Sequence, residues 1–296
     1  MFGGADPAIP ELVPSDIEIR RNLLTKPLRW REGDPSYGGT KWTVKNLFEL
    51  KAGRRIVMDG NILEHNWVES QSGVAVLMKS VNADGGAPWS VVEEVTFTNN
   101  IVRGVALAIN IAGRASVAPC RQANRFVISN NLFEDIDGGK WGGGSGDFLK
   151  VTEVAGVVVE HNTVMQTGKV IETYGEVTTG LVFRNNIAAH NAYGIKADGV
   201  SPGIDTLRSY FPGYVFEKNL IAGADAGSYP RNNFYPNHLG LIGFVDMTRK
   251  DYRLTAASRF RGAGTDGKDL GCDFDALAKA GAMSDSRANL RTNQKR

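Results

Sequence analysis

The feature that most constrains the fold of this chain is a short motif that recurs along it. An apolar strand runs into an asparagine, and a second apolar segment follows at once, as in Val-Thr-Phe-Thr-Asn-Asn-Ile at 95–101. Seven copies are present, and their final asparagines are Asn22, Asn61, Asn100, Asn131, Asn162, Asn186 and Asn219. The steps between them are 39, 39, 31, 31, 24 and 33 residues. Self-similarity at periods of this size indicates a solenoid.

The asparagine has a local physical role. A short strand that bends sharply needs a residue that tolerates left-handed backbone geometry, and asparagine tolerates it better than other non-glycine residues. Asparagines stacked at equivalent corners can also hydrogen-bond to one another through their amides, as they do in cross-β ladders. The alternative is a set of unrelated turn asparagines, but the apolar alternation before each copy argues against it.

Each repeat contains three short apolar segments, which we interpret as three strands. The first leads into the asparagine, the second follows it, and the third begins near a glycine, as at 73–79, 104–110, 146–153, 168–174 and 193–198. The connections are rich in glycine and lack helical periodicity, which argues against alternating strands and helices. The pattern predicts an all-β protein, a three-sheet parallel β-helix of about seven to eight rungs.

The chain reads as a single β-helix domain over residues 1–275, with an irregular start over 1–14. A turn-rich stretch over 251–283, with a short helix at 276–282, is expected to cap the carboxyl end of the stack. Residues 284–296 read as a disordered basic tail. The amino terminus has neither signal-peptide features nor an evident cap, so we expect a fragment or an internal start. An exposed first rung would also allow oligomers to form through it.

Composition excludes several classes of protein. The net charge of +2 gives no support for nucleic-acid binding, and no apolar run approaches the roughly 20 residues of a membrane helix. Cys120 and Cys272 lie far apart and show no metal-ligand spacing. A disulfide between them is conceivable in an oxidising compartment, but we expect two free thiols.

The rungs, together with the ending Tyr252-Arg253-Leu254, Gly262–Gly267 and Asp269-Leu270-Gly271, resemble those of secreted bacterial right-handed parallel β-helix proteins. That superfamily includes pectate-lyase-like and chondroitinase-B-like polysaccharide lyases and related glycan hydrolases, and the resemblance covers roughly residues 12–275. It implies a right-handed solenoid and a secreted or periplasmic parent with earlier rungs. It also implies a lyase or hydrolase acting on an acidic or plant-type polysaccharide. The alternative is a non-catalytic glycan-binding, adhesin-like or structural module.

Aligning the third strands by their glycines gives a candidate site. One outward column then contains Leu77, Ala108, Lys150, Glu172 and Asp198, and its neighbour contains Lys79, Asn110, Thr152 and Tyr174. Lys150 could abstract the proton α to a uronate carboxylate, and Glu172 with Asp198 could hold Ca²⁺, which would neutralise that carboxylate. These three residues are the predicted catalytic set, and Glu172 and Asp198 are the predicted metal ligands.

The resemblance implies a Lys/Arg pair with calcium, as in chondroitinase-B-like lyases. Lys150 matches that lysine, and Arg184 and Arg208 are the candidates for the arginine. Two alternatives stay open. Lys150, Glu172 and Asp198 could be a solvated ladder of opposite charges. Glu134, Asp135 and Asp137 could instead supply the paired acid and base of a hydrolase.

Overall fold

The structure is a computed structural model that describes residues 2–115 and 118–282. The predicted disordered tail at 284–296 lies outside the described residues. Three parallel sheets form the body of the molecule, in agreement with the predicted three-sheet parallel β-helix. Each rung contributes one strand to each sheet in turn, and the strands are numbered here in chain order.

The first sheet contains the strands that precede the asparagine corners. They are β1 (Ser15–Arg20), β4 (Gly53–Asp59), β7 (Val92–Thr98), β10 (Asn124–Ser129), β13 (Ala155–Glu160), β16 (Thr179–Arg184) and β19 (Val215–Glu217). The second sheet contains the strands that follow those corners. They are β2 (Leu23–Thr25), β5 (Ile62–Asn66), β8 (Ile101–Val105), β11 (Leu132–Ile136), β14 (Thr163–Gln166), β17 (Ile187–Ala189) and β20 (Leu220–Ala222).

The third sheet has one strand fewer. Its strands are β3 (Phe48–Leu50), β6 (Val74–Lys79), β9 (Leu107–Ala112), β12 (Leu149–Thr152), β15 (Ile171–Thr173) and β18 (Ile195–Ala197). The remaining elements are the antiparallel pair β21 (Phe244–Asp246) and β22 (Asp251–Leu254), the helices α1 (Ile204–Tyr210) and α2 (Phe274–Ala280), and the 3₁₀ turns Leu28–Trp30, Ala226–Ser228 and Leu239–Leu241. No helix of the described residues has the length and apolar character needed to cross a membrane.

Alternate residues of each strand point into the solenoid and fill it with apolar side chains. Phe133 lies near the centre, with its ring centroid 6.4 Å from that of Phe97 and 4.7 Å from that of Phe148. Phe183 and Phe216 stack on successive rungs with their centroids 5.4 Å apart. Strand periodicity of two, seen in buried Ile56 and Met58 on either side of a half-buried Val57, therefore accounts for the core.

The buried ladder asparagines join successive rungs. The Oδ1 atom of Asn131 accepts from the backbone N of Asn100 at 2.8 Å and from its Nδ2 at 3.1 Å, and Asn131 Nδ2 donates to Phe97 O at 2.9 Å. Asn233 ends the ladder by accepting from the side chain of Asn219 at 3.0 Å. The segment before Asn233 is not an apolar strand, so the repeat pattern missed it.

The left-handed corner does not lie at the ladder asparagine, as the sequence reading implied, but one residue before it. Positive φ values occur at Asn99 (53°), Asn130 (54°), His161 (50°), Asn185 (59°) and Lys218 (54°). The left-handed residue turns the chain, and the next residue can then direct its amide into the solenoid. Bending and ladder formation are therefore divided between two neighbouring residues.

The carboxyl end of the stack is covered by α1 and the segment that follows it. Leu207 and Phe211 are fully buried and join the same apolar cluster as Phe216 of β19 and Tyr229, which follows β20. Phe211 therefore belongs to the core.

The segment at 251–283, which we expected to cap the end, packs in its described part along the side of the solenoid. Tyr252, Cys272 and Leu277 contact the outward residues Ile101 and Leu132 of the second sheet. The predicted helix at 276–282 overlaps α2. The cause of this placement is the apolar outer face of the second sheet, which must be removed from water.

The two cysteines are not disulfide-bonded, as expected. Burial raises the pKa of the Cys272 thiol to about 12, so this thiol is not a thiolate at neutral pH. At the amino-terminal end, Phe2 extends the third sheet by a bridge to Leu50, and Ile17 and Ile19 of β1 are partly buried against the core. Self-association through this end stays a prediction.

Candidate functional site

The outer face of the third sheet contains the predicted site, and strand pairing fixes its columns. Lys150 of β12 pairs with Glu172 of β15, as the sequence alignment predicted. The residues in register with these two form a column that crosses the whole sheet. It reads Glu49, Leu77, Asn110, Lys150, Glu172 and Lys196.

Two members of the predicted column do not lie in it. Ala108 is fully buried in the core, and Asn110 takes its place beside Lys150. Asp198 is exposed beyond the end of β18, and Lys196 takes its place beside Glu172. The alignment by glycines failed because the distance from the glycine to the register position varies. Leu149 and Ile171 lie three residues after their glycines, whereas the equivalent Ile109 lies five residues after Gly104 and Ile195 lies one residue after Gly194.

Glu172 is the centre of a network of ion pairs. Its Oε2 atom lies 2.7 Å from Lys150 Nζ and its Oε1 atom 3.0 Å from Lys169 Nζ. Lys169 Nζ also lies 3.5 Å from the Oδ2 atom of the fully buried Asp147. Lys150 Nζ lies 5.0 Å from the ring centroid of Tyr174, a cation–π contact. Sequence reasoning missed Lys169 because it precedes β15 and therefore lies outside the strand columns, so strand periodicity gave no signal for it.

The pKa values of the two carboxyl groups in this network are shifted in opposite directions. Burial alone would raise the pKa of Glu172, but the hydrogen bonds from Lys150 and Lys169 outweigh burial and hold this pKa below its usual value. Burial raises the pKa of Asp147, and the hydrogen bond from the Lys169 backbone N offsets only part of that rise. Glu172 is therefore an ionised partner for two ammonium groups.

A shallow groove of about 460 Å³ lies over the amino-terminal side of this network. Lys150, Asn110 and Leu107 form its floor, and the loops around Val68–Ser72 and Gly143–Ser145 form its walls. Leu107 packs with Val74 and Leu77 on the outer face of the sheet. The groove therefore offers an apolar patch beside an amide and an ammonium group.

The predicted calcium ligands do not fit a calcium site in this geometry. Both carboxylate oxygens of Glu172 already face lysine ammonium groups, and Asp198 is not its register neighbour. A hard cation needs several oxygen ligands that converge on one point. Over residues 2–115 and 118–282, no group of three or more His, Cys, Asp or Glu side chains is placed to hold a metal ion. Calcium binding stays a prediction.

The candidate arginines lie elsewhere. Arg184 ends β16 on the first sheet, where its Nε donates to Glu160 at 2.8 Å, and Arg208 is exposed on α1. Neither belongs to a strand of the third sheet. The described cationic neighbours of Glu172 are therefore lysines, and neither candidate arginine lies among them.

The second carboxylate set lies on the second sheet, where each member already has a partner. Glu134 is buried, and its Oε1 atom lies 3.6 Å from Lys250 Nζ. Burial raises the pKa of Glu134, although Lys250 and Arg103 act against that rise. Lys140 Nζ lies 2.7 Å from Asp135, and Asp137 accepts from the Lys140 backbone N at 2.9 Å. This arrangement is that of a structural ion-pair cluster.

Chemically, the third-sheet face offers ammonium donors, one ionised carboxylate and an aromatic ring on neighbouring rungs. Such a set can bind carboxylate and hydroxyl groups of a polymer that lies across the strands. No protein-family model, no curated protein and no solved structure matches this chain. Evidence for function therefore comes from the site itself.

Proposed function

We propose that this protein is a carbohydrate-active β-helix that binds an acidic polysaccharide on the outer face of its third sheet. The observation that carries the proposal is the placement of three lysines beside Glu172: Lys150 and Lys169 pair with it, and Lys196 is its register neighbour. Lys169 also faces Asp147, so three ammonium groups face two carboxyl groups, and the excess cation can bind uronate carboxylates.

The repeat of the fold supports a polymeric ligand. Strands in a sheet lie about 4.8 Å apart, so equivalent side chains recur at that distance along the solenoid. Asn110, Lys150, Glu172 and Lys196 occupy successive rungs in one column. A chain of similar sugar units can contact such a column at several points, whereas a small molecule would use only one or two.

Binding is favoured over catalysis by the contacts of Lys150. A lysine that abstracts a proton needs a free amine, whereas Lys150 Nζ is already engaged by the Glu172 carboxylate at 2.7 Å. Lyase activity is nevertheless the second candidate, because Lys150 and Tyr174 lie side by side and could act as base and acid. Lys150, Glu172 and Asp198 keep their predicted catalytic roles only under that second candidate.

The test is titration calorimetry with polygalacturonate, alginate and chondroitin sulfate, and with dextran as the neutral control. We expect an acidic polymer to bind, and added salt to weaken that binding. Lys150→Ala and Lys196→Ala should each weaken it about tenfold or more, because hydrogen bonds to charged groups contribute about 1.5–3 kcal/mol. Lys279→Ala, which removes an exposed lysine of α2, is the matched control and should bind normally.

Two results would decide against these assignments. Equal affinities of the Lys150→Ala and Lys279→Ala variants would overturn the proposed binding face. Lyase activity is checked by the absorbance of unsaturated products, with and without added calcium. If the wild type and Lys150→Ala are equally silent, the lyase candidate should be abandoned.

A further inference from the structure

The outer face of the first sheet carries a partly exposed column of β-branched side chains. Its members occupy successive rungs in register, and they are Val57, Thr96, Val127, Val158, Val182 and Val215. Each lies between two buried residues or next to one, so its side chain points out of the solenoid. Val215 keeps 38% of its surface exposed. We call this column the valine stripe.

The valine stripe contrasts with the outer face of the second sheet. There, Tyr252, Cys272 and Leu277 cover the outward residues Ile101 and Leu132. The valine stripe belongs to none of the apolar clusters that the described residues form. The molecule therefore covers one of its apolar outer faces and leaves the other accessible.

Polar rows lie on both sides of the valine stripe. One row contains the strand-ending residues Asp59, Thr98, Ser129, Glu160 and Arg184, two positions further along each strand. Within this row Arg184 Nε donates to Glu160 at 2.8 Å, and Thr98 Oγ1 donates to Asp59 at 3.3 Å. On the other side, Arg125 donates to Glu94 at 2.8 Å and Arg55 donates to Asp16 at 2.6 Å.

Three residues of the first polar row, Ser129, Glu160 and Arg184, also form one wall of a second groove. This groove has a volume of about 930 Å³, and its opposite wall is the segment from Tyr252 to Ala276. Most of its charged groups are paired: Arg261 lies 3.4 Å from Asp269, and Lys268 lies 3.4 Å from Asp266. Asp273 accepts instead from the backbone N atoms of Asp275 and Ala276. The groove therefore offers many donors and acceptors but little uncompensated charge.

We propose that the valine stripe and the adjoining groove bind a neutral polysaccharide with a flat, ribbon-like chain. Such a chain has apolar faces formed by its ring C–H groups and hydroxyl groups along its edges. The faces would lie on the valine stripe, and one edge would donate to Glu160 and accept from Arg184. The pairing of charges favours a neutral ligand, because a charged one would have to displace an existing partner.

The length of the valine stripe also favours a polymer. Its side chains recur at the strand separation of about 4.8 Å, so a chain along the solenoid axis meets the same surroundings on each rung. The groove at its edge falls within the range of about 300–1,000 Å³ that is typical of ligand sites. This proposal is independent of the acidic-polysaccharide site, which lies on the third sheet.

The test is co-sedimentation with insoluble microcrystalline cellulose, mannan and xylan. We expect the wild type and Lys150→Ala to bind at least one of these polymers equally well. Val158→Asp should weaken binding by about tenfold or more, because it places a charge in the apolar stripe. Val245→Asp makes the same change at an exposed valine of β21 and should leave binding unchanged.

A further variant distinguishes weaker binding from misfolding. Thr96 shows that the column accepts threonine, so the double variant Val127→Thr and Val158→Thr should fold and bind several-fold more weakly. Failure of the wild type to bind any of the three polymers would overturn the proposal. Equal binding by folded Val158→Asp or by the threonine variant would overturn it too. A solution dimer that Val158→Asp dissociates would assign the face to a second copy of the chain instead.

Discussion

Each buried ladder asparagine satisfies backbone groups of two rungs at once. Asn131 accepts from two donors of Asn100, and its own amide donates to Phe97 O, Ser129 O and Asn162 Oδ1. Buried polar groups that lose a partner destabilise a protein by about 1–3 kcal/mol each. The energetic role of the ladder therefore depends on how deeply each asparagine is buried.

We predict that Asn131→Ala lowers the free energy of unfolding by about 3 kcal/mol or more, because several buried partners are lost together. Asn22 makes ladder contacts as well, but it lies at the exposed first rung, so Asn22→Ala should cost about 1 kcal/mol or less. Urea unfolding followed by circular dichroism measures both values. Equal losses in the two variants would show that burial does not set the strength of the ladder.

A second residue-scale prediction concerns Asp147, whose pKa is raised by burial. A carboxyl group with a raised folded pKa binds more protons in the native state than in the unfolded state between the two pKa values. Its contribution to stability is therefore greatest below the unfolded pKa of about 3.9 and declines as pH rises through the folded pKa. Asp147→Asn removes this decline.

We expect the free energy of unfolding of Asp147→Asn, relative to that of the wild type, to increase as pH rises from about 4 towards neutrality. Urea unfolding at a series of pH values measures this difference. Asp205→Asn removes an exposed carboxyl group at the start of α1 and is the matched control for the substitution itself. A difference that is constant with pH would contradict the raised pKa.

At the scale of elements, the repeat of strand and asparagine predicted all three sheets but not their registers. Lys150 and Glu172 were placed correctly because each follows a leucine or isoleucine that points inward at the start of its strand. Ala108 and Asp198 were misplaced because the glycines do not lie at a fixed distance from the strand register. Gly104 turns the chain inside β8, too early for β9, and Gly194 directly precedes β18, two residues later than Gly168 relative to the register. A glycine can occupy any position of a strand or turn, whereas a large apolar side chain must occupy an inward-facing position and so fixes the register.

The side packing of the carboxyl-terminal segment was not predictable from local pattern for a related reason. Tyr252, Leu270 and Leu277 are separated by turns, so they form no periodic stripe in the sequence. Their common feature is the surface that they contact, which is the outer face of the second sheet. That face forms only when the rungs are stacked, so no local sequence pattern reveals it.

The element-scale prediction concerns the contact between this segment and the corner at Gly60. Gly60 has φ of 68°, and a Cβ atom placed on it would lie 2.3 Å from Ala280 O at the end of α2. Gly213 has φ of 71°, but a Cβ atom there would meet nothing within 4 Å. Both alanine variants should lose about 1–2 kcal/mol to backbone strain. Only Gly60→Ala should also displace α2.

Thermal unfolding and hydrogen exchange of 274–282 distinguish these two effects. We expect faster exchange of that segment in Gly60→Ala than in Gly213→Ala, and a larger decrease in the melting temperature. The same exchange rate in both variants would show that α2 adjusts to the added methyl group without leaving the solenoid.

At the scale of the whole molecule, the solenoid is a one-dimensional stack in which each rung contacts mainly its neighbours. Stability is then set by the interfaces between rungs and by the covers at the ends. At the carboxyl end, Leu207 and Phe211 are buried in one apolar cluster with Phe216 of the last rung and with Tyr229, whose ring stacks on Phe216. Loss of this cover should first lower the stability of the rungs beside it.

We predict that Phe211→Ala costs about 3–5 kcal/mol, the usual loss for a buried phenylalanine, and that the loss is local. Hydrogen exchange should accelerate in β16, β17, β19 and β20, while β7, β8 and β9 stay protected, because sub-global opening of a stack begins at its weakest end. Tyr193→Ala removes an aromatic ring that is 52% exposed and should change neither region. Uniform acceleration along all three sheets would instead mean that the solenoid unfolds as one cooperative unit, in which an end cover stabilises every rung equally.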